Sequence, residues 1–165
     1  VVFSGGKGIM GPQSTGLVLG RKDLVEACIR NGAPNHSIGR PMKVSKEDMA
    51  GIVRAVELYV ALDHGAVTRR WTEQVEVVVD ALQGLPGVQA VRRDASYSEA
   101  IPVARITIDP SQAGRSVGDV AAALAEGEPG IRVTQAEDWI IVNPHFLEPG
   151  EEQIVAARLK AILTT

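Results

Sequence analysis

The spacing of apolar positions changes twice along this chain, and the changes divide it. A short apolar run, Val1-Val2-Phe3, feeds the glycine-rich segment Ser4-Gly5-Gly6-Lys7-Gly8-Ile9-Met10-Gly11-Pro12. A second run lies near Gly16–Gly20, and both runs predict strands. Helical spacing then holds from Lys22 to Asn31 and ends at Gly32. The stretch Gly32 to Val44 contains Pro34, Gly39 and Pro41 and predicts an irregular loop. Two strong helices follow. Ser45-Lys46-Glu47-Asp48 is a capping pattern, behind which Met49, Ile52, Val53, Val56, Tyr59 and Val60 recur at helical spacing. Gly65 interrupts, and Val67 to Leu82 continues with Val75, Val78, Val79 and Leu82 on one face.

From Gly87 the period shortens. Strands are predicted at Val88–Arg92, Val103–Ile108, Ile131–Thr134 and Trp139–Val142, and helices at Val117–Ala125 and Glu151–Leu163. Ser116 is an N-cap candidate with Asp119 three residues on, and Glu151 and Glu152 sit where a helix dipole favours acidic residues. The order strand–strand–helix–strand–strand–helix predicts a small antiparallel sheet covered by helices on one face. The organisation is therefore α/β, with one region at residues 1–44, connecting helices at 45–84 and a small α+β domain at 85–165. No internal repeat or low-complexity tract interrupts it.

Composition narrows the partners. With 165 residues, 45% of them hydrophobic, the chain has material for one or two compact units. A formal net charge of −3 shows no basic excess, and 4% aromatic residues leave few stacking platforms, so nothing calls for a nucleic-acid partner. One cysteine, Cys28, excludes an intrachain disulfide framework and fits a reducing compartment, the cytoplasm. Its apolar helical position predicts a small buried hydrophobe. No apolar run approaches the length of a membrane span, and no signal-peptide pattern is visible.

Candidate chemistry centres on Lys7. Glycines on both sides remove side-chain bulk and let a ligand approach the backbone. An amine at the end of a buried strand loses hydration and becomes a nucleophile toward carbonyls, as a Schiff-base lysine must. A phosphate-binding Gly-x-x-x-x-Gly-Lys-Ser/Thr loop needs a hydroxyl residue where Gly8 stands. Gly6-Lys7-Gly8-Ile9-Met10-Gly11 matches the dinucleotide fingerprint, but Pro12 and Gly16 prevent the helix that must follow it. A plain glycine-rich turn with an exposed lysine accounts for the same residues. The opening inside an apolar strand, without an initiator Met, reads as the later part of something longer.

Phe3-Ser4-Gly5-Gly6-Lys7, Gly11-Pro12-Gln13, Leu19-Gly20-Arg21-Lys22 and Arg40-Pro41-Met42-Lys43 together resemble a pyridoxal-phosphate-dependent family. It contains L-seryl-tRNA selenium transferase (selenocysteine synthase) and D-glucosaminate-6-phosphate ammonia-lyase. The resemblance is closest from Val1 to Val60 and looser beyond. Ser14-Thr15-Gly16 and Asn35-His36-Ser37-Ile38-Gly39-Arg40-Pro41 look more like the ammonia-lyase branch. Ser37 stands where the selenium transferases carry a second arginine, which speaks against tRNA-linked chemistry.

The resemblance implies the C-terminal part of a fold-type I enzyme: the end of a cofactor-binding large domain, connecting helices and a small domain. It implies pyridoxal 5'-phosphate held by Lys7, with Ser4 and Gly6 beside it. The aspartate that pairs with the pyridine nitrogen and the group stacking on the ring precede the lysine in such enzymes, so only part of a site lies here. The implied activity is a lyase removing ammonia from a 2-amino-3-hydroxy (sugar) acid, with D-glucosaminate 6-phosphate as the example. A selenium-transferase-like enzyme and a domain without catalysis are the alternatives. A symmetric homodimer or a multiple of it is implied, with the loop Gly32–Lys43 reaching the neighbouring subunit; the alternative is that the loop packs on its own helix at Ser45–Tyr59. Ile38, Pro41 and Met42 are apolar residues beside Gly39 and Arg40, a mixture that suits an interface.

The other polar residues have plainer readings beside the functional ones. Ser4 equally serves a local backbone group. Arg40, in a Pro/Gly loop, suits a bidentate clamp on a substrate carboxylate or phosphate, or an interdomain salt bridge. His36, His64 and His145 lack ligand spacing, so no metal is expected. Asp63-His64 reads as a helix end, Arg69-Arg70 and Arg92-Arg93 as solvated faces, and Trp71 and Trp139 as core.

Overall fold

The computed structural model describes residues 1–95 and 101–164. They form two compact units, Val1–Leu62 and Asp63–Thr165.

In the first unit, β1 (Val2–Ser4) pairs antiparallel with β2 (Gly16–Val18), Phe3 lying opposite Leu17 and Ser4 opposite Gly16. Two strands cannot bury both faces of each other. Val2 is 76% exposed, so β1 is not the buried strand expected from its apolar run. Helix α1 (Lys22–Asn31) ends as predicted, with the Gly32 N–H donating to the carbonyls of Cys28 and Ile29. The Asn31 and Asn35 side chains donate to two carbonyls near this end, those of Ala27 and Ile29, at 2.9 and 3.0 Å. No residue of α1 is buried, and Cys28 is exposed, contrary to the expectation of a buried hydrophobe. Its helix and the small hairpin enclose an open apolar cavity of about 480 Å³, bordered by Val1, Leu19, Leu24 and Cys28. Helix α2 (Lys46–Ala61) starts at Ser45, whose hydroxyl accepts from the Asp48 N–H at 3.0 Å, and buries Ile52 and Ala55.

The second unit opens with α3 (His64–Ala81). Asp63-His64 begins this helix instead of ending one: the Asp63 carboxylate accepts from the Ala66 N–H at 2.9 Å. An aspartate just ahead of a helical pattern satisfies a free N–H there, and that outweighs the preference of histidine for C-termini. A four-stranded antiparallel sheet follows, ordered β3 (Val88–Arg93), β4 (Val103–Ile108), β6 (Trp139–Val142), β5 (Thr134–Gln135). The single turn α4 (Pro110–Ala113), α5 (Val117–Glu126) and α6 (Glu151–Leu163) complete the unit. Strand β5 begins later than predicted, because Ile131 and Val133 pack into the core and the Ile131 N–H bonds the Leu124 carbonyl at 2.8 Å.

Helices α3, α5 and α6 share one core with the sheet, in which Val78, Leu82, Ile106, Val120, Leu124, Ile140 and Leu159 have no exposed surface. The other side of the sheet presents Gln89, Val91, Arg105, Trp139 and Ile141, each at least partly exposed. There the Arg105 guanidinium lies 5.2 Å from the Trp139 ring centroid. Neither tryptophan is fully buried as expected. Trp71 meets His145 edge-on at 5.4 Å, and His145 lies 4.4 Å from the exposed Phe146 ring. No helix among the described residues is long and apolar enough to cross a membrane.

The start of α5 is a full capping box. Ser116 accepts from the Asp119 N–H, and Asp119 accepts from both the hydroxyl and the N–H of Ser116. These bonds hold the Asp119 carboxyl below the usual carboxylate range, and the Ser111 hydroxyl and N–H do the same for Asp109 at α4. Because both values are lower folded than unfolded, their stabilisation is complete above the unfolded value and disappears as pH falls through the folded one. The urea midpoint of this unit should therefore decline on acidification below about pH 4. Replacing both carboxylates, in Asp109→Asn/Asp119→Asn, should flatten that decline.

Candidate active site

The eleven residues between β1 and β2 fold back on themselves. The Gly5 N–H donates to the Thr15 carbonyl at 2.9 Å, extending the hairpin by one rung, and the Gly11 N–H closes onto the Gly5 carbonyl at 2.8 Å. Inside that closure the Met10 N–H bonds the Lys7 carbonyl at 2.7 Å, with Met10 at φ 57°, so Lys7-Gly8-Ile9-Met10 is a tight turn. Lys7 opens the turn with its side chain exposed, and it has no ion-pair partner among the described residues. Burial by this chain is therefore not what surrounds the amine.

Two residues that sequence reasoning used only as markers hold the turn. Gln13 Nε2 donates to the Gly6 carbonyl at 3.1 Å. Thr15, 7% exposed, donates its hydroxyl to the Pro12 carbonyl at 2.6 Å, and its N–H bonds the same carbonyl at 3.1 Å. A threonine two residues after Gly-Pro-Gln carries no separate signal, since an exposed loop threonine looks the same.

The glycines separate by what surrounds them. A Cβ on Gly5 would overlap Thr15 Oγ1 and come within 2.5 Å of Ile52 Cδ1. One on Gly6 would lie 2.6 Å from Gln13 Cα, so the space expected to admit a ligand at Gly6 is filled by Gln13. Gly8 has nothing within 4 Å, and the open side of the turn is there. Ser4 is exposed at the end of β1, one residue before the first glycine.

Arg40 lies on the loop after α1. Its N–H bonds the Ser37 carbonyl at 3.0 Å, while the Gly39 N–H donates to the Asn31 carbonyl at 2.8 Å and the Ser37 hydroxyl to Asn31 Oδ1 at 2.6 Å. Gly39 must be glycine, since a Cβ would lie 2.5 Å from the Asn31 carbonyl oxygen. The Arg40 side chain is half-buried and has no acidic partner among the described residues, while Ile38 and Met42 beside it are 83% and 76% exposed. Ser4, Gly6 and Lys7 thus share one hairpin loop and Arg40 stands on another. No hydrogen bond or ion pair joins Arg40 to Lys7. No group of three or more metal-ligating side chains occurs among the described residues.

The residues suit an aldehyde cofactor in two respects: an exposed amine without an ion-pair partner, and an open approach at Gly8. No family model matches the chain. It is 32% identical over 166 residues to 5'-C-glycyluridine monooxygenase-decarboxylase of a Streptomyces species, covering 99% of this chain and 41% of that protein. It is 32% identical over 165 residues to D-glucosaminate-6-phosphate ammonia lyase of Salmonella typhimurium, covering 98% and 42%. It is 24% identical over 186 residues to L-seryl-tRNA(Sec) selenium transferase of Moorella thermoacetica, covering 98% and 37%. A solved structure of D-glucosaminate-6-phosphate ammonia-lyase matches with a TM-score of 0.69 and 28% identity, over 99% of this chain and 43% of that one.

The chain is thus a homologue of these enzymes, matching their C-terminal part, and its mixed α/β fold is shared with the ammonia-lyase. It spans about two fifths of the length of the relatives it matches.

The glycine environments make a direct contrast. Gly5→Ala should destabilise the first unit by about 1–3 kcal/mol, the cost of forcing atoms into a packed space. Gly8→Ala should stay within about 0.5 kcal/mol of the parent. Local hydrogen exchange at Gly11 and Thr15 measures both.

Proposed function

We propose that this chain is the lysine-bearing part of a pyridoxal-phosphate-dependent lyase that removes ammonia from a 2-amino-3-hydroxy acid. The observation that carries the reading is similarity over nearly the whole chain to an ammonia-lyase, in sequence and in fold, with Lys7 presented on a glycine turn. The relatives' names add chemistry. Glucosaminate and a seryl group are both 2-amino acids with oxygen at C3, and a glycyl group joined through carbon to C5' of uridine has the same pattern. Relatives with different reactions thus share a substrate unit, and this supports the substrate class. Loss of ammonia is preferred over the other reactions because Ser14-Thr15-Gly16 and the loop around Arg40 resemble that branch. D-glucosaminate 6-phosphate is the example compound.

Pyridoxal phosphate supplies an aldehyde for an amine and a ring that takes up negative charge from Cα. Lys7 Nζ tethers it and, once released, accepts the Cα proton. Ser4 Oγ, at the strand end, donates to the cofactor phosphate, and the open side at Gly8 lets the group approach the backbone. Arg40 orients the substrate carboxylate or phosphate by two parallel N–H bonds. The net change is release of ammonia and formation of a 3-deoxy-2-oxo acid: the water lost across C2 and C3 is regained when the nitrogen is hydrolysed off. The protein acts as a homodimer, or a multiple of it, in the cytoplasm. Exposed Ile38 and Met42 around half-buried Arg40 support a subunit contact there.

In the full-length protein, Lys7→Ala should abolish cofactor attachment and turnover. Borohydride reduction with peptide mapping should mark Lys7; a mark on Lys22 or Lys43 would refute the assignment. Arg40→Lys should raise the substrate KM about tenfold or more with the cofactor retained, since a point charge cannot reproduce a bidentate clamp. Equal loss of both would move Arg40 to the cofactor phosphate. Mixing inactive Lys7→Ala and Arg40→Ala subunits should restore partial activity. No recovery after confirmed subunit exchange would mean that each site is built within one chain.

A further inference from the structure

The turn that presents Lys7 lies on one stripe of α2. Asp48, Gly51, Ile52 and Ala55 fall on the same side of that helix by their spacing, and each meets the loop between β1 and β2 that carries the turn. Ser14 Oγ donates to Asp48 Oδ2 at 2.8 Å. A Cβ on Gly51 would lie 2.7 Å from Pro12 Cγ, so the proline ring rests on the helix where no side chain intervenes. Ile52 Cδ1 occupies the space beside Gly5 and Gly11, and Ala55 Cβ is 3.3 Å from where a Cβ on Gly11 would stand. Asp48 is itself anchored, because its N–H caps onto Ser45 Oγ at 3.0 Å.

This matters because the Lys7 amine has no ion-pair partner of its own among the described residues. A lysine stem with four rotatable bonds is placed by its backbone or not at all. On the reading that Lys7 holds the cofactor, we infer that the Asp48–Gly51–Ile52–Ala55 stripe of α2 is the platform that positions it. Asp48 and Gly51 are positioning residues: neither reaches Lys7, and they act through Ser14 and Pro12.

The test uses the full-length protein in Asp48→Ala, Asp48→Asn, Ser14→Ala and Ser14→Ala/Asp48→Ala forms. Without cofactor, hydrogen exchange is read at the Gly5, Met10, Gly11 and Thr15 amides, whose bonds close the turn. Asp48→Ala should speed those four amides about two- to tenfold, the factor that one ordinary hydrogen bond supports. The double variant should be no faster than either single one, Asp48→Asn should restore the parent rate because it keeps an acceptor oxygen, and β4 and β6 amides should not change. With cofactor, the yield of borohydride fixation on Lys7 at limiting pyridoxal phosphate should fall in the same order. Unchanged exchange in Asp48→Ala, failure of Asp48→Asn to restore it, equal acceleration throughout the β4–β6 sheet, or full Lys7 yield from a loosened turn would each overturn the inference. If the exchange pattern holds but borohydride marks another lysine, the platform stands and the cofactor assignment falls. Gly51→Ala, which displaces Pro12, should reproduce the Asp48→Ala pattern; if it does not fold, the Asp48 series decides alone.

Discussion

Everything at the candidate site hangs on the hydrogen bond from the Gly11 N–H to the Gly5 carbonyl. It turns an eleven-residue connection, which would otherwise be a loose loop, into a closed ring with a second turn inside it. A closure this tight leaves no room for side chains on its inner wall, so Gly5 and Gly11 follow from the geometry. With those side chains gone, Ile52 can reach the backbone itself, and the ring gains a hydrophobic floor. Lys7 is then exposed without being free to wander: its Cα is fixed by the Met10 bond and only its stem moves. That combination suits a residue that must hold a cofactor and then release it.

The second unit shows a different economy. Its sheet buries the middle of one side, Ala90, Ala104, Ile106, Ile108, Ile140 and Val142, against three helices and leaves the other side half covered. Arg105 sits on that open side, stacked on Trp139, with its Nε buried and without an acceptor among the described residues. Stacking on an aromatic face keeps a guanidinium extended without spending its hydrogen bonds. The aromatic content of the chain is low, so each such contact is a large share of it.

What could be read from sequence depended on whether the signal was local. Ser116 with Asp119, Ser45 with Asp48 and Gly32 after α1 are local chemistry, and all three predicted helix ends are present. Strand β4 is bounded as its apolar run predicts. Readings failed where a partner distant in sequence decides the outcome. Cys28 has an apolar helical position, yet burial needs an opposing surface, and the two-stranded hairpin does not provide one. Ile131 looks like a strand residue but serves the core beside Leu124 instead. Asp63-His64 carries two contrary helix-end signals, and only the bond to Ala66 shows which one prevails.

The same distinction explains the site. Lys7 and its glycines stood out as candidates because glycines on both sides of a lysine have few uses, and the resemblance named one. The work of Gln13, Thr15 and Ser14 was not legible, since each looks like an ordinary loop residue until its partner is known. Those partners are the Gly6 carbonyl, the Pro12 carbonyl and the Asp48 carboxylate. Two of the three are backbone groups, which leave no trace in side-chain identity at all. The third, Asp48, was legible only as part of a helix cap, a role it also fills, and one residue with two duties shows only the commoner one in sequence. A motif of this kind therefore displays the lysine and conceals the scaffold that places it.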